Sequence, residues 1–342
     1  MSLTAAFLLL VTAGCGDDGN PRGDGSTGPT SDGTGAGRPL VVDTDLASDD
    51  LVALLFLLSS SEVDVRAVTV SGTGEVRCPR GLEIAAGLLA VTGHDDVPVA
   101  CGRSTPLSGD HTFPAEWRDA ADAAWGVDLP VVEAPDAAPS AAQLLAETLS
   151  TGRVTLLTLG PLTNPAEAFR ADPDLPDTMS SMVIMGGAVD VGGNVYTEED
   201  SSPSAEWNLY VDPVAAEEVL ASGAPVTLVG LDATNQAPIT PEFVGELQGN
   251  VEAEAAAIAS QLLANNPLVA SGEAYFWDPL AAAVVVDPDV VTTERAPISV
   301  VTTRGSDNGR TVRDRDGHQV QVAVGADVKA VEDLLTRTLN AS

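Results

Sequence analysis

From residue 39 onward, apolar residues fall in short unbroken runs, each closed by an acidic or glycine-containing turn. Residues 39–58, PLVVDTDLASDDLVALLFLL, show the pattern best. An apolar run leads straight into Asp43, Thr44 and Asp45, and a second acidic pair, Asp49 and Asp50, opens an apolar stretch with helical spacing. This predicts a buried parallel strand, a tight turn and a helix starting near Ser48 or Asp49. Strand patterns recur at residues 63–70 (VDVRAVTV), which run into the turn SGTGE at 71–75, and at 97–100 after a helix over 81–91. The runs at 154–159, 182–185 and 226–231 are apolar enough to be buried on both faces. The alternation of strand, loop and helix predicts an α/β fold, a mostly parallel central sheet covered by helices. The tail differs. Strands at 298–303 and 319–324, separated by the polar stretch 304–317, predict a small antiparallel C-terminal extension before a last helix over 328–339. No repeat or linker composition interrupts residues 39–342, so a single domain is the expectation.

Residues 1–14, MSLTAAFLLLVTAG, carry an apolar segment too short to span a bilayer and read as a signal peptide. Thr12, Ala13, Gly14 and Cys15 resemble the lipobox of bacterial lipoproteins, although no Lys or Arg precedes the apolar run and Thr12 stands where Leu is usual. Residues 16–38 are almost all Gly, Asp, Ser, Thr, Pro and Asn, the composition of a flexible tether. The implied location is extracytoplasmic, with the membrane reached only through a lipid on Cys15. Cys78 and Cys101 are the two remaining cysteines, an even pair that suits a disulfide and two buried thiols equally.

Composition narrows the function. With 50 acidic and 16 basic residues the formal charge is −34, so nucleic acid and anionic membranes are repelled. A small neutral or cationic ligand fits better. The acids are not evenly spread: Asp43, Asp45, Asp49 and Asp50 crowd the carboxyl end of the first strand, where open α/β sheets place ligands. One acid would suffice to cap the helix. Four held together raise one another's pKa unless something neutralises them, and a hard divalent cation does so.

Amides and acids follow the later strands as well. The turn Gly160, Pro161, Leu162, Thr163, Asn164 leaves the Leu159 carbonyl free for a cation. Beyond it come Met185 with Gly186, Gly187 and Ala188, then Asn194, then Glu206, Trp207 and Asn208, then Asp212 and Pro213. Near the end, Trp277, Asp278 and Pro279 precede an apolar helix. Singly, Asn194 or Glu206 is more often a loop cap than a ligand. The segment 108–129, with His111, Trp117, Arg118 and Trp125, reads equally as a loop covering the site or as a surface helix.

In this order the motifs resemble those of the calcium-dependent nucleoside hydrolases, the inosine–uridine-preferring group and its purine-specific relatives. The family's DTDxxxDD opening is matched by Asp43, Asp45, Asp49 and Asp50, and the GPLTN, MGGA, E-x-N and two DP motifs follow in sequence. The resemblance implies a Rossmann-like sheet and cleavage of a small-molecule ribonucleoside to free base and ribose. It also implies Ca²⁺ held by Asp45, Asp50, the Leu159 carbonyl and Asp278. Asp45 matches the general base that deprotonates a water on the cation. Asp49, Asn194, Glu206, Asn208 and Asp278 match positions that hold ribose hydroxyls, and Met185 one that lines the sugar pocket. Family members are often homo-oligomers. An N-glycosidic bond breaks through an oxocarbenium-like sugar, which suits an acidic pocket.

Departures from the pattern matter. Many members have Gly-Asn after the second strand, the Asn reaching the ribose; here Thr73 follows Gly72, so the contact is lost or falls to Glu75. The longer spacing between Asn194 and Glu206 implies an insertion near the 5′ end of the sugar. Trp277 stands where the inosine–uridine group has a His that protonates the leaving base, which places the chain nearer the purine-specific relatives. There the base stacks on aromatic rings, with Trp117 or Trp125 available for the opposite face. Two alternatives compete: a phosphatase of the haloacid dehalogenase type, which lacks its phosphate-holding cation here, and a tethered nucleoside- or sugar-binding protein without turnover.

Overall fold

Successive residues of the central strands face two separate apolar layers, as a sheet covered on both sides requires. Leu40 and Val42 pack into one layer and Val41 into the other; Leu157 and Leu156, and Val183 and Ile184, divide the same way. The computed structural model describes residues 37–132, 139–196 and 201–341. The signal segment, Cys15 and the tether as far as residue 36 lie outside the described residues.

Eleven strands are present among the described residues: β1 (Arg38–Thr44), β2 (Val63–Val70), β3 (Val99–Cys101), β4 (Thr155–Thr158), β5 (Ser181–Met185), β6 (Val195–Tyr196), β7 (Ser201–Ser202), β8 (Val226–Val229), β9 (Val291–Val300), β10 (Thr311–Arg313) and β11 (His318–Ala326). Nine form one sheet in the order β10-β9-β11-β8-β5-β4-β1-β2-β3, and β6 and β7 form a separate hairpin. From β3 to β8, and on to β11, every pairing is parallel; β9 is antiparallel to both its neighbours. The order runs outward from β1 to β2 and β3 on one side and from β4 to β5 and β8 on the other. The direction of winding therefore reverses between β1 and β4, the place where open α/β sheets form a ligand crevice beyond the carboxyl ends of the strands.

The predicted strands are present with shifts of a few residues. The tail departs most: β9 begins at Val291 rather than 298, β10 lies inside the stretch expected to be loop, and β11 joins the parallel sheet directly through β8. The first half of β9, VTTER, is largely exposed, so it carries no apolar run to mark it as a strand. β1 starts at Arg38, one residue before the expected boundary, and the Arg38 guanidinium donates to the carbonyls of Val285 and Val286 at 2.9 and 2.8 Å.

Five helices matter for the site: α1 (Ser48–Leu58), α2 (Arg80–Val91), α3 (Ala115–Asp122), α4 (Ala141–Leu149) and α5 (Thr163–Ala171). α1 is buried from Asp50 through Leu58. It packs against the helices Glu254–Asn265 and Trp277–Val286 as well as against β2. A helix enclosed on all sides needs no polar stripe, and each leucine so enclosed contributes roughly 1.5–3 kcal/mol. The segment 108–129 holds both a loop and a helix: α3 follows an irregular stretch, and a 3₁₀ turn at Ala124–Gly126 closes it. Cys78 and Cys101 are disulfide-bonded, with Cα atoms 6.3 Å apart, which ties the loop after β2 to the sheet edge at β3. Among the described residues no helix is long and apolar enough to cross a membrane.

Candidate active site

β1 delivers its acids to the crevice through a strained turn. Leu46 is fully buried yet has a φ of 58°, a conformation that bulky side chains seldom adopt. Three contacts hold it. Its N–H reaches Thr44 Oγ1 at 3.2 Å, its side chain is in the core, and its carbonyl accepts from the indole of Trp125 at 3.1 Å. Trp125 is thereby a clamp on the turn, packed partly against the core.

The sharp turn brings Asp50 back under Asp45. Asp50 Oδ1 accepts from the Thr44 hydroxyl and from the Asp45 N–H, the latter at 3.1 Å, while Oδ2 is buried with no partner. Neither Asp49 nor Asp50 caps α1: the N-cap is Ala47, without a side-chain bond. Both carboxylates are left for other work. From the far end of the chain, the helix Trp277–Val286 sets Asp278 in its first turn. The Asp278 N–H meets Asp49 Oδ2 at 3.5 Å, and Asp278 Oδ1 is buried and unpartnered. One oxygen from each of Asp49, Asp50 and Asp278 lies within 4.8 Å of the others, an arrangement that could hold a metal ion. Two buried carboxylate oxygens without donors inside such a set are what a hard cation's ligand shell requires.

Asp45 stands beside this trio. Its Oδ2 accepts from the Glu75 N–H at 3.2 Å, and its own carbonyl accepts from Val76 N–H at 3.0 Å. Asp43, the fourth acid of the opening motif, serves a different purpose. Its Oδ1 accepts from the Thr69 hydroxyl at 2.6 Å and the Asn164 amide at 2.7 Å, joining β1 to β2 and to α5.

Burial, more than mutual repulsion, raises the pKa of these groups. Asp43 is pushed up to about 7 by burial, against the lowering effect of Asn164 and Thr69. Asp49 is also pushed up to about 7, by burial first and by Asp50 second. Asp45 and Asp278 rise well above the usual carboxylate range, burial leading and neighbouring acids adding to it. Asp50 rises through burial, opposed by the hydrogen bonds it makes.

The opposite wall comes from β4 and β5. The Leu159 carbonyl, expected to be free, accepts the Asn208 amide at 2.9 Å, and one lone pair remains for a further partner. The same amide reaches the Met185 carbonyl at 3.3 Å and Sδ at 3.4 Å, so Asn208 stitches the ends of the two strands together. Glu206 caps the helix Trp207–Val211: Oε1 accepts from Asn208 N–H at 2.9 Å, and Oε2 from Gly187 at 2.9 Å and Leu209 at 3.3 Å. Gly187, at φ 85°, makes the turn that points its N–H there. Asn194 Oδ1 accepts from Trp207 N–H at 3.2 Å. Asn194 and Glu206 thus both act as loop caps. The long spacing between them is the β6–β7 hairpin.

Thr73 turns inward. Its hydroxyl lies 3.0 Å from Ser71 Oγ and 3.1 Å from Thr163 Oγ1, and Thr163 donates to Asp212 Oδ2 at 2.8 Å. This chain of hydroxyls braces the loops from beneath. Trp277 is half-buried, its ring 5.6 Å from that of Tyr275, with its N–H buried and unpartnered. Trp117 joins an aromatic group with Phe113 and Trp207; the Trp117 and Trp207 rings are 5.4 Å apart, next to Glu206 and Asn208. The three histidines are engaged with Thr92, with Asn308 and Tyr210, and with Glu217.

Arg118, expected only as part of the segment 108–129, has a bracing role at this site that the linear sequence did not assign. Arg118 of α3 donates to the carbonyls of Glu75 and Gly72, both at 3.4 Å, and to Thr112 Oγ1 at 3.2 Å, holding α3 over the turn after β2. Burial lowers its pKa.

A profile of the family described as inosine-uridine preferring nucleoside hydrolase matches residues 40–333. The pyrimidine-specific ribonucleoside hydrolase RihA of Shewanella woodyi is 32% identical over 318 residues, spanning 88% of this chain and 98% of its own. Among solved structures, the inosine-uridine preferring nucleoside hydrolase from Bacillus anthracis aligns with a TM-score of 0.77 at 28% identity, covering 89% of this chain and 100% of that one. The purine-preferring ribonucleoside hydrolase from Gardnerella vaginalis aligns with a TM-score of 0.78 at 27% identity, covering 88% and 98%.

Proposed function

The chain belongs to the inosine-uridine preferring nucleoside hydrolase family and is a nucleoside hydrolase, and on that premise we propose that it cleaves ribonucleosides with Ca²⁺ bound at the acid trio and with Asp45 as general base. The observation that carries the reading is the pair of buried, unpartnered oxygens, Asp50 Oδ2 and Asp278 Oδ1, in a carboxylate set at the point where the sheet reverses its winding. Asp50 and Asp278 would hold the cation, with Asp49 or Asp45 and the Leu159 carbonyl around them. When bound, the ion supplies charge that acidifies a water and orients the sugar.

The chain's own groups activate the water and stabilise the sugar, while the bond from C1′ to the base breaks with its electron pair going to the base, which takes its proton from solvent. Asp45, fixed by the Glu75 N–H on one oxygen, takes the proton from the attacking water with the other. Asp49 and Glu206 place negative charge around the ribose as it approaches an oxocarbenium ion, and Glu206 is held in place by three backbone N–H groups. Asn208, Asn194 and Met185 shape the far wall.

Trp277 supports a preference for purines, since it offers a broad ring face but no proton at neutral pH. The name of the Shewanella woodyi relative favours a second reading, pyrimidine cleavage. Release of reducing sugar from inosine and from uridine, each with and without chelator, tests both parts: chelator-sensitive release establishes the hydrolase, and the ratio of kcat/KM values decides the base. The lipobox-like residues 12–15 and the tether support a lipid-anchored, extracytoplasmic location.

A further inference from the structure

Among the described residues, four that are not glycine have a positive φ: Leu46, Ala124, Trp125 and Arg153. Left-handed backbone at such residues costs free energy and persists only where the surroundings impose it. Three of the four meet at one hydrogen bond. Ala124 and Trp125, at φ 49° and 52°, lie in the 3₁₀ turn after α3, and the Trp125 indole N–H donates to the carbonyl of Leu46, at φ 58°. The segment that carries Trp125 is itself tied to the loop after β2. Arg118 donates to the Gly72 and Glu75 carbonyls, and the Asp122 carboxylate accepts from the Arg77 N–H at 2.8 Å and from the Arg77 guanidinium.

Asp45 depends on this bond, because it is the residue immediately before Leu46. Gly74 and Gly160 wall its side chain so closely that a Cβ on either would stand 2.1 or 2.8 Å from the Asp45 Cβ. In so narrow a slot the backbone at residues 45 and 46 sets the direction of the carboxylate. Its Oδ2 accepts the Glu75 N–H at 3.2 Å, and Glu75 belongs to the loop that Arg118 holds. One segment therefore fixes both supports of the base, Leu46 through Trp125 and Glu75 through Arg118. The acid trio depends on it less: Asp50 accepts from the Thr44 hydroxyl, and Asp278 comes from another helix. Without the indole donor, Leu46 loses a contact that holds it left-handed, and relaxation of its φ turns Asp45 against the walls of its slot. We infer that Trp125 is a positioning residue for hydrolysis, holding Leu46 left-handed so that Asp45 faces the attacking water. This rests on the reading of Asp45 as general base above.

The test is a double-mutant cycle on kcat at saturating Ca²⁺, with the better of inosine and uridine as substrate. Trp125→Phe removes the N–H and keeps an aromatic ring against the core. It should lower kcat by roughly 10–100-fold, the scale on which a small misplacement of a reacting group costs rate, with KM and Ca²⁺ affinity by calorimetry little changed. In the Asp45→Asn background the same substitution should cost nothing further, since Trp125 acts through that carboxylate. Unchanged kcat, equal losses in both backgrounds, weaker Ca²⁺ binding, or a variant that does not fold would overturn the assignment. Hydrogen exchange gives a readout that needs no turnover. The Glu75 and Val76 amides are bonded to Asp45 itself, so residues 71–76 should exchange faster in Trp125→Phe, while β5, which pairs with β4 and β8, should not change. Unchanged exchange over 71–76, or faster exchange in both segments, also overturns it. A wild type that cleaves neither nucleoside sinks the hydrolase reading separately and leaves exchange to decide whether Trp125 aims Asp45.

Discussion

Asp50 Oδ2 and Asp278 Oδ1 are both buried and both unpartnered, although one acid opens α1 near the start of the fold and the other opens a helix near its end. Their meeting beyond the ends of β1 and β4 makes a cation a natural partner for two uncompensated carboxylate oxygens. Asp50→Asn and Asp278→Asn should each weaken Ca²⁺ by more than the ~10–100-fold typical of losing an outer partner of a metal ligand. Calorimetry checks this directly, and a wild type that takes up no Ca²⁺ at millimolar concentration would remove the proposed mechanism.

Asp45 is distinguished from the trio by its bond to the Glu75 N–H. Asp45→Asn keeps the shape of the side chain, so at saturating Ca²⁺ the loss should fall on kcat, by ~100-fold or more, with little change in KM. A nearly unchanged kcat would pass the role of base to Asp49.

Asp43 and Asp49, both pushed up to about 7, hold their protons more tightly in the folded chain than in the unfolded one. The stability they lend is complete below about pH 4, the ordinary aspartate range, and is lost as pH rises through about 7. In chelator, Tm should therefore fall between about pH 5 and pH 8. Ca²⁺ favours the ionised form of the acids around it, so its addition should raise Tm more at pH 8 than at pH 5. Thermal melts with equal Ca²⁺ shifts at both pH values would contradict this account.

Trp277 sits half-buried beside Tyr275 and directly precedes Asp278. If a purine stacks on its ring, wild type should cleave inosine with a higher kcat/KM than uridine, and Trp277→Ala should lose more activity on inosine than Trp277→Phe, which keeps a ring face. Uridine cleaved as fast as inosine would leave the hydrolase intact and overturn the purine preference.

Anchoring is tested at Cys15. In a host that processes lipoproteins, the wild type should enter the detergent phase on partitioning and Cys15→Ser should stay in the aqueous phase. The same distribution for both would remove the lipid anchor.

Much of the sheet was legible in the sequence because a strand buried on both faces leaves an unbroken apolar run, as at Leu40, Val41 and Val42 or Leu156 and Leu157. The start of β9 was not, because Thr292 to Arg295 face solvent and nothing apolar marks them. The acids of the site were legible for a related reason: Asp43, Asp45, Asp49 and Asp50 are anomalous beside runs that should be buried. Their division of labour was not. Asp43 turns to Thr69 and Asn164, Asp50 turns to Thr44, and Glu206 and Asn194 spend their oxygens on backbone N–H groups.

The sequence by itself determined which residue types end the strands, and so the class of chemistry and the family. Tertiary structure decided which oxygens remain free. That depends on contacts between residues far apart in the chain, Asp49 with Asp278, Arg118 with Glu75, Thr73 with Thr163. A carboxylate in the sequence is only a potential ligand; hydrogen-bond geometry after folding settles whether its lone pairs are already used or are left facing the crevice.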